Sequence, residues 1–271
     1  MIIDVHVHLL DQGGYEHRLA KAAREAGIVK VVLTGGPKQY EYASNDQVLA
    51  AAERYPDLFM PFGYFRLGRD YAAMVDEFHA RGFYGLQFAL PEKDYDDKEF
   101  YLVYARAGQL GMPGLFQLGI LPNSGRDHLY NVCCRRMRPI CLDTIARAFP
   151  EFTIIGTQLG SPWCEEACEV VRCNTNVYMD LSGTTLRKKG PDFFRELLWW
   201  DRTGGAYGST PRTLKPWQKI LFGSDVHCKY LPKVVRDYEG LMNALEFDEE
   251  TRMQVFALNA GRALGLEFEE Q

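Results

Sequence analysis

IIDVHVH, residues Ile2–His8, opens the sequence as a short apolar strand that carries two histidines two positions apart. Because side chains alternate between the two faces of a strand, His6 and His8 point the same way, with Asp4 beneath them and the apolar residues opposite. Two imidazoles on one face of a rigid strand are a ready pair of metal ligands. The chain has only six histidines in 271 residues, so this pair favours a metal site over the alternative of a solvated strand end.

The length and composition of the chain favour one large α/β domain, which we expect to span residues 1–271. A net charge of −5 and the lack of a basic stripe argue against a general nucleic-acid binder. No apolar run approaches the roughly 20 residues that cross a bilayer, and a strand that begins at residue 2 leaves no room for a secretory signal. We therefore expect a cytoplasmic protein without a nucleic-acid or membrane partner, whose seven cysteines are reduced thiols.

Eight short apolar runs alternate with longer amphipathic stretches along the chain. Most of the runs are rich in β-branched or aromatic residues and apolar on both faces, which is typical of a buried parallel sheet. Eight strands with helices between them predict an α/β fold of the (β/α)8 TIM-barrel type. A doubly wound sheet is the alternative, but the first strand lacks a glycine-rich phosphate turn. The predicted strands are Ile2–His8, Lys30–Thr34, Phe59–Phe65, Phe83–Phe88, Pro113–Leu118, Phe152–Thr157, Asn176–Leu181 and Lys219–Ser224.

A barrel of this kind brings the C-terminal ends of its strands together, and active sites are built at that face. His6 and His8 end the first predicted strand, and Asp225 follows the last one. Since the first and last strands of a closed barrel are neighbours, these three side chains converge and leave coordination positions open, as in a catalytic divalent-metal site. Alone, Asp225 would favour a loop cap; beside the histidine pair, it favours a metal ligand.

Several motifs of this chain resemble those of the amidohydrolase superfamily, in particular the branch of aminocarboxymuconate-semialdehyde decarboxylase and related metal-dependent decarboxylases and hydrolases. The resemblance covers nearly the whole chain and is specific for fold and family rather than for substrate. It implies a TIM barrel of the metal-dependent hydrolase type. The motifs are IDVHVH at 3–8, the segment LDTIARAFP at 142–150, LGSPW at 159–163, YMDLS at 178–182, FGSD at 222–225 and NAGRALGL at 259–266.

The chain departs from the family pattern at two positions where histidine is usual. Gln117 stands in place of a strand-five histidine that usually binds the metal, and Gln158 in place of a strand-six histidine that usually acts as acid/base or second-metal ligand. Glutamine binds borderline cations more weakly than imidazole and cannot shuttle protons near neutral pH. Three interpretations follow: a weaker metal site with another proton carrier, a changed substrate and reaction, or a small-molecule-binding protein without catalysis.

Few residues are candidates for the missing proton carrier. His227 lies two residues beyond Asp225, and His128 lies in the long loop after the fifth strand; packing at the rim and exposure to solvent are the respective alternatives. We expect Asp225, His227 and Gln158 at catalytic positions. Asp225 could act as the base of a hydrolysis only where the metal does not fully engage it.

Arginines near the predicted strand ends favour an anionic substrate, because their planar forks suit carboxylates. Arg66 follows the third strand and Arg126 lies in the fifth loop, with ordinary surface charge as the alternative. Trp163 could form a pocket wall or pack beneath its loop. The expected substrate-binding residues are Arg66, Gln87, Arg126, His128 and Trp163.

These observations predict a metal-dependent hydrolase or non-oxidative decarboxylase that acts on a small, anionic organic substrate. The expected cofactor is one divalent ion, zinc first and manganese as the alternative, held by His6, His8, Gln117 and Asp225. With a glutamine among the ligands, we expect the metal to be weakly bound or absent. A catalytically inactive binding paralogue on the same barrel is the alternative function, and a homodimer is left open as the assembly.

Overall fold

An eight-stranded parallel sheet forms the core of the protein, and its strands neighbour one another in chain order. The computed structural model describes residues 1–201 and 215–267. Each strand overlaps one predicted apolar run, and the predicted TIM barrel is confirmed. The strands are Ile2–His8 (β1), Ile28–Thr34 (β2), Phe59–Phe65 (β3), Gly85–Phe88 (β4), Gly114–Phe116 (β5), Ile154–Gly156 (β6), Val177–Asp180 (β7) and Ile220–Leu221 (β8).

Two backbone hydrogen bonds join β1 to the segment that follows β8. The N–H of Val5 donates to the carbonyl of Phe222 at 3.0 Å, and the N–H of Asp225 donates to the carbonyl of His6 at 2.8 Å. The first and last strands are therefore neighbours, as the barrel requires. The second bond also fixes the backbone of Asp225 beside the strand that carries the two histidines.

A β-bulge interrupts β1 between Asp4 and Val7, where three residue steps of β1 face two steps of β2. The expected strict alternation along β1 is therefore wrong. Ile3 and Val5 pack inside the barrel with the inward-facing residues of other strands, whereas Val7 packs in the outer cluster against the helices. The extra residue lets His6 follow Val5 on the inner side and reach the mouth of the barrel, which is a known use of bulges beside functional sites.

Helices lie between the strands and pack on the outside of the barrel. Ser44 caps one of them in a capping box, because its Oγ accepts the N–H of Gln47 and the Gln47 side chain accepts the N–H of Ser44. The helices are Tyr15–Glu25 (α1), Asn45–Arg54 (α2), Ala73–Ala80 (α3), Tyr101–Gln109 (α4), Ile140–Ala148 (α5), Cys164–Cys173 (α6), Thr184–Lys188 (α7), Pro191–Leu197 (α8), Leu231–Ala244 (α9), Glu249–Met253 (α10) and Asn259–Leu264 (α11). Within the described ranges, no helix has the length and apolar composition that a membrane span requires.

Candidate metal centre and active-site cavity

Three side chains converge at the C-terminal end of the barrel: His6, His8 and Asp225. One ligand atom from each lies within 4.8 Å of the other two. The Nε2 atoms of His6 and His8 are 3.8 Å and 3.9 Å from the Oδ1 atom of Asp225. An ion that binds each atom at about 2.0–2.2 Å fits between ligands at these separations.

Backbone geometry places Asp225 in this group. The chain leaves β8 at Leu221, and Asp225 has a φ of 45°, in the left-handed region that non-glycine residues rarely adopt. Its N–H is tied to the carbonyl of His6. Strained backbone of this kind concentrates at functional sites, where the surrounding structure holds it.

The other ring nitrogen of each histidine is anchored by a polar partner. The Nδ1 of His6 lies 3.0 Å from Asp180 Oδ2 and 3.2 Å from Ser182 Oγ, and the Nδ1 of His8 donates to the carbonyl of Gly35 at 2.8 Å. The ring of Tyr42 stacks on that of His8, with centroids 4.0 Å apart. When Nδ1 carries the proton, the Nε2 lone pair is directed into the site, which is the arrangement that metal-binding histidines use.

Asp180 is itself held in place by several donors. Its Oδ1 accepts the N–H of Gln158 at 2.7 Å, the N–H of Ser182 at 2.8 Å and the hydroxyl of Ser182 at 2.6 Å. Gly223 makes room for this carboxylate, because a Cβ at that position would lie 2.8 Å from Asp180 Cβ and Cγ. The orientation of His6 therefore depends on β7 and on the segment after β8.

The Nε2 atom of His6 is buried and has no hydrogen-bond partner among the described residues. Buried polar atoms are almost always satisfied, so an unpaired one aimed at two other potential ligands indicates a missing ion or molecule. Two imidazole nitrogens and a carboxylate oxygen are a donor set that suits zinc and manganese. The residues present therefore fit a single divalent cation.

The electrostatics of the site also favour a cation. Burial opposes a charge on His6, but the carboxylates of Asp225 and Asp180 outweigh it and raise the pKa of His6 to about 9. Burial lowers the pKa of His8 to about 4, although Asp225 acts in the opposite direction. Burial raises the pKa of Asp4 to about 7. In the metal-free protein, a proton on His6 thus supplies positive charge that a metal ion would replace.

A cavity of about 400 Å³ opens beside this group, and three glutamines line it together with His8 and Asp225. Gln158 donates from Nε2 to Asp225 Oδ2 at 2.8 Å. Gln117 donates from Nε2 to the carbonyl of Leu118 at 3.2 Å, and its amide oxygen accepts no hydrogen bond from the described residues. The structure therefore brings Gln117 and Gln158 to the same cavity. The third glutamine is Gln87, whose Oε1 accepts the hydroxyl of Thr34 at 2.9 Å.

Arg66 lies outside this cavity, contrary to expectation. Its guanidinium donates to Glu92 Oε1 at 2.8 Å and to the carbonyls of Tyr130 and Leu90 at 2.6 and 3.2 Å. These bonds tie β3 to the loops after β4 and β5 and occupy the fork inside the protein. The expected substrate contact is replaced by a structural one.

The other expected rim residues are likewise absent from the cavity wall. Arg126 and His128 are exposed on the loop after β5. Trp163 is half-buried beneath the guanidinium of Arg138, 5.2 Å away. His227 caps the turn that follows it, accepting the N–H of Lys229 at 3.3 Å, and burial lowers its pKa. These positions match the alternatives of a surface, packing or rim residue, and a substrate-binding or catalytic role for these residues stays a prediction.

Three residues of the site were not assigned a role from the sequence. Asp180 ends a buried strand, as Asp225 follows one, so its position carried a signal that could have been used. Tyr42 carried none, because it lies in a loop outside the motifs. Arg187 follows the YMDLS motif at 178–182 by five residues, but no pattern distinguished it from other loop arginines. Arg187 lies at the cavity wall and donates from Nε to the carbonyl of Gly183 at 2.8 Å.

Fold and site together define a (β/α)8 barrel with a candidate His–His–Asp metal centre at its C-terminal face. The chain belongs to the amidohydrolase family, since the model of that family matches residues 3–266. By the description of that family, the chain is a member of an enzyme family, the amidohydrolases. No curated protein matches the sequence at a significant level.

Solved structures share the fold at low sequence identity. An uncharacterized TIM-barrel protein from Bordetella bronchiseptica is 19% identical, with a TM-score of 0.70 and 98% of each chain covered. A probable 2-pyrone-4,6-dicarboxylic acid hydrolase from Acinetobacter baumannii, solved with citric acid, is 13% identical, with a TM-score of 0.64 and coverage of 97% of this chain and 99% of that one. A dihydroxybenzoic acid decarboxylase from Polaromonas, solved with manganese and 2-nitroresorcinol, is 13% identical, with a TM-score of 0.65 and coverage of 99% and 98%.

Proposed function

We propose that this protein is a metal-dependent lyase or hydrolase of small organic anions, and that non-oxidative decarboxylation is its main reaction. The observation that carries the proposal is the convergence of two anchored imidazoles with Asp225, with the buried Nε2 of His6 left unpaired by the described residues. A structural role for these groups would have paired that nitrogen within the protein.

His6, His8 and Asp225 would hold the ion, and the amide oxygen of Gln117 would be a fourth ligand. When bound, a divalent ion supplies Lewis-acid polarisation of a carboxylate or neighbouring oxygen of the substrate. Zinc is the first candidate because imidazole predominates among the ligands, and manganese is the second. With a glutamine in place of a histidine, we expect this site to have a lower affinity for the metal ion than a site with three histidines.

The cavity supports an anionic substrate. Its glutamines present amide groups that can donate hydrogen bonds without carrying charge. Arg187 adds a guanidinium at the wall, and among the described residues only its Nε is bonded, to Gly183. A volume of about 400 Å³ lies within the range of small-molecule sites. These features together suit a compact molecule with one or two carboxylates.

The small number of proton carriers favours decarboxylation over hydrolysis. In decarboxylation the carboxylate carbon leaves as CO2 and a single proton takes its place on the substrate carbon. Hydrolysis removes a proton from water and delivers one to the leaving group, so the site must supply a proton acceptor as well as a proton donor. Gln158 cannot titrate, and its amide donates a hydrogen bond to Asp225 Oδ2. Hydrolysis is the second candidate, because Asp225 still lines the cavity.

A paired assay tests the proposal. Protein stripped with a chelator and reloaded with zinc or manganese would be given dihydroxybenzoates and related aromatic carboxylates, with CO2 release measured. Pyrone dicarboxylates would be assayed in parallel for ring opening. We expect metal-dependent CO2 release that His8→Ala reduces by at least about 100-fold. His79→Ala, on the exposed face of α3, is the matched control.

Two outcomes contradict a metal-dependent enzyme, and a third contradicts decarboxylation as its main reaction. Metal content and turnover that are the same in His8→Ala as in the unaltered protein would remove the metal centre. A protein that binds metal and these anions but converts none of them would favour the binding paralogue. Ring opening without CO2 release would select hydrolysis within the proposed class.

A further inference from the structure

We propose that a basic groove on the outside of the barrel is a second binding site, for a small ligand that carries two or more phosphate groups. The groove is a cavity of about 740 Å³ between the end of α7 and residues 233–241 of α9. Its basic residues are Arg187, Lys188, Lys189, Lys233 and Arg236.

The positive charge of this groove is poorly compensated. Asp237 is the only acidic residue among its described lining, and both of its oxygens bind Lys233 Nζ, at 2.7 and 2.9 Å. Within the described ranges, Arg187, Lys188 and Arg236 form no ion pair with a carboxylate. The protein as a whole has a net charge of −5, so this excess of cations is a local feature.

Other arginines of the barrel surface behave differently. Arg24, Arg54 and Arg106 each pair with an aspartate or glutamate at 2.8 Å or less. Where most exposed guanidiniums are neutralised, leaving several unpaired cations around one cavity raises their mutual repulsion. A bound anion would relieve this repulsion. Several unpaired cations around one cavity are therefore what we expect of a binding site for anions.

The shape of the groove suits a small molecule. Part of its lining is apolar and is formed by Leu186, Pro191 and Leu241. Gly240 lies in α9 along the same groove, and a Cβ there would meet no atom within 4 Å. The volume is within the range of small-molecule sites. An organic ligand could thus pack an apolar part against these residues while its phosphates meet the cations of the groove.

Phosphate fits the donors better than a single carboxylate does. Arg236 offers a planar fork, whereas Lys188 and Lys189 offer compact point charges, and both kinds of donor bind phosphate oxygens. The cations come from two separate elements, so a ligand with two or more anionic groups can engage both at once. Arg187 lines this groove and the catalytic cavity, so the two sites adjoin.

Calorimetric titration with sodium pyrophosphate tests this site, using the full-length protein at low and at high salt. We expect saturable binding that salt weakens, and a loss of at least about tenfold in affinity in Lys188→Glu and in Arg236→Glu. Lys98→Glu, on an exposed turn before α4, makes the same change in net charge away from the groove and should stay within about twofold.

Two further variants separate this site from the metal centre and from a general charge effect. Gly240→Leu fills the groove without changing charge and should prevent binding, while thermal melting reports whether the variant is folded. His8→Ala should leave the affinity for pyrophosphate unchanged. The proposal is overturned by absence of saturable binding to the unaltered protein, by equal affinity in the groove variants and Lys98→Glu, or by loss of binding in His8→Ala.

Discussion

Asp180 Oδ2 lies 3.0 Å from His6 Nδ1, and on the far side of the same ring His6 Nε2 lies 3.8 Å from Asp225 Oδ1. One imidazole thus connects a buried carboxylate of β7 with the carboxylate that follows β8. The pair of Asp180 and His6 has the form of a carboxylate–histidine–metal chain, in which the outer carboxylate sets the ring orientation and strengthens the ligand.

Removal of this outer carboxylate should weaken metal binding. We expect Asp180→Ala to lower the affinity for zinc or manganese by about 10–100-fold, because His6 loses its orienting partner. Competition with a chelating dye measures the affinity. Asp76→Ala, which removes an exposed partner of Arg106, is the control and should bind as the unaltered protein does. Equal affinity in both variants would show that Asp180 does not support a ligand.

Gln117→His should tighten metal binding, because imidazole is a better ligand than an amide oxygen for borderline ions. Elemental analysis after gentle purification, with chelator competition, checks the change. Gln87→His introduces the same ring at another position of the cavity and serves as the control. If metal content is unchanged in Gln117→His while His6 and His8 are intact, Gln117 is not at a ligand position.

Gln158→His should alter the pH profile of turnover more than the metal affinity. The substitution places a group that titrates near neutral pH beside Asp225 Oδ2, where the present amide cannot take up or release a proton. The rate measured against pH should gain a new inflection between about pH 6 and 7. A profile that keeps its shape, with metal binding intact, would place residue 158 outside the path of the proton.

Gly223→Ala should damage the site through Asp180. The added Cβ would lie 2.8 Å from Asp180 atoms, so the carboxylate or the backbone must move. We expect a loss of about 1–3 kcal/mol in the free energy of unfolding, together with weaker metal binding. Gly190→Ala is the matched control, because a Cβ there meets nothing within 4 Å. Denaturant titration and metal affinity that match the control would contradict the close approach of these two residues.

Lys219 gives a prediction of pH-dependent stability at the opposite end of the barrel. It is buried just before β8, donates from Nζ to the carbonyls of Asn174 and Thr175, and burial lowers its pKa to about 7. The unfolded chain, with an ordinary lysine pKa of 10.5, binds more protons than the folded one between about pH 7 and 10.5. The contribution of Lys219 to stability should therefore rise with pH across that window and be least favourable below pH 7.

Comparison with Lys219→Met isolates this effect. The difference in free energy of unfolding between the two proteins should shift in favour of lysine as pH rises from 7 towards 10, by up to about 3–4 kcal/mol. Urea titrations at several pH values measure it. A difference that is constant with pH would show that Lys219 stays charged in the folded protein.

The core of the candidate metal centre could be predicted from the sequence, but the residues that support it could not. The sequence identified His6, His8 and Asp225 because the first and last strands of a closed barrel are always neighbours. The place of each strand in the chain order therefore decides which strand ends, and which of their residues, lie together. Asp180 lies 174 positions from His6, and no local pattern links them. The bulge in β1 was likewise invisible, because it reflects the register between two strands rather than the composition of either one.

Charged residues of the loops were the least predictable part. Arg66 and Arg187 both follow barrel strands, and their residue type is the same. Glu92 and two backbone carbonyls engage the fork of Arg66. Within the part of the chain that the structure describes, Arg187 is bonded through Nε alone, and it lies at the cavity wall. The difference depends on which hydrogen-bond acceptors lie near each guanidinium, and the packing of the loops decides that.

The sequence by itself determined the barrel, the histidine pair and its aspartate, and the family to which the chain belongs. These features follow from short-range rules: the period of apolar residues, the burial of both strand faces and the neighbouring ends of the first and last strands. The tertiary structure alone decided which side chains surround that centre, namely the anchoring of His6 by Asp180, the stacking of Tyr42 on His8 and the position of Arg187. Those contacts join residues far apart in the chain, and they arise only when the closed sheet brings its loops to one face.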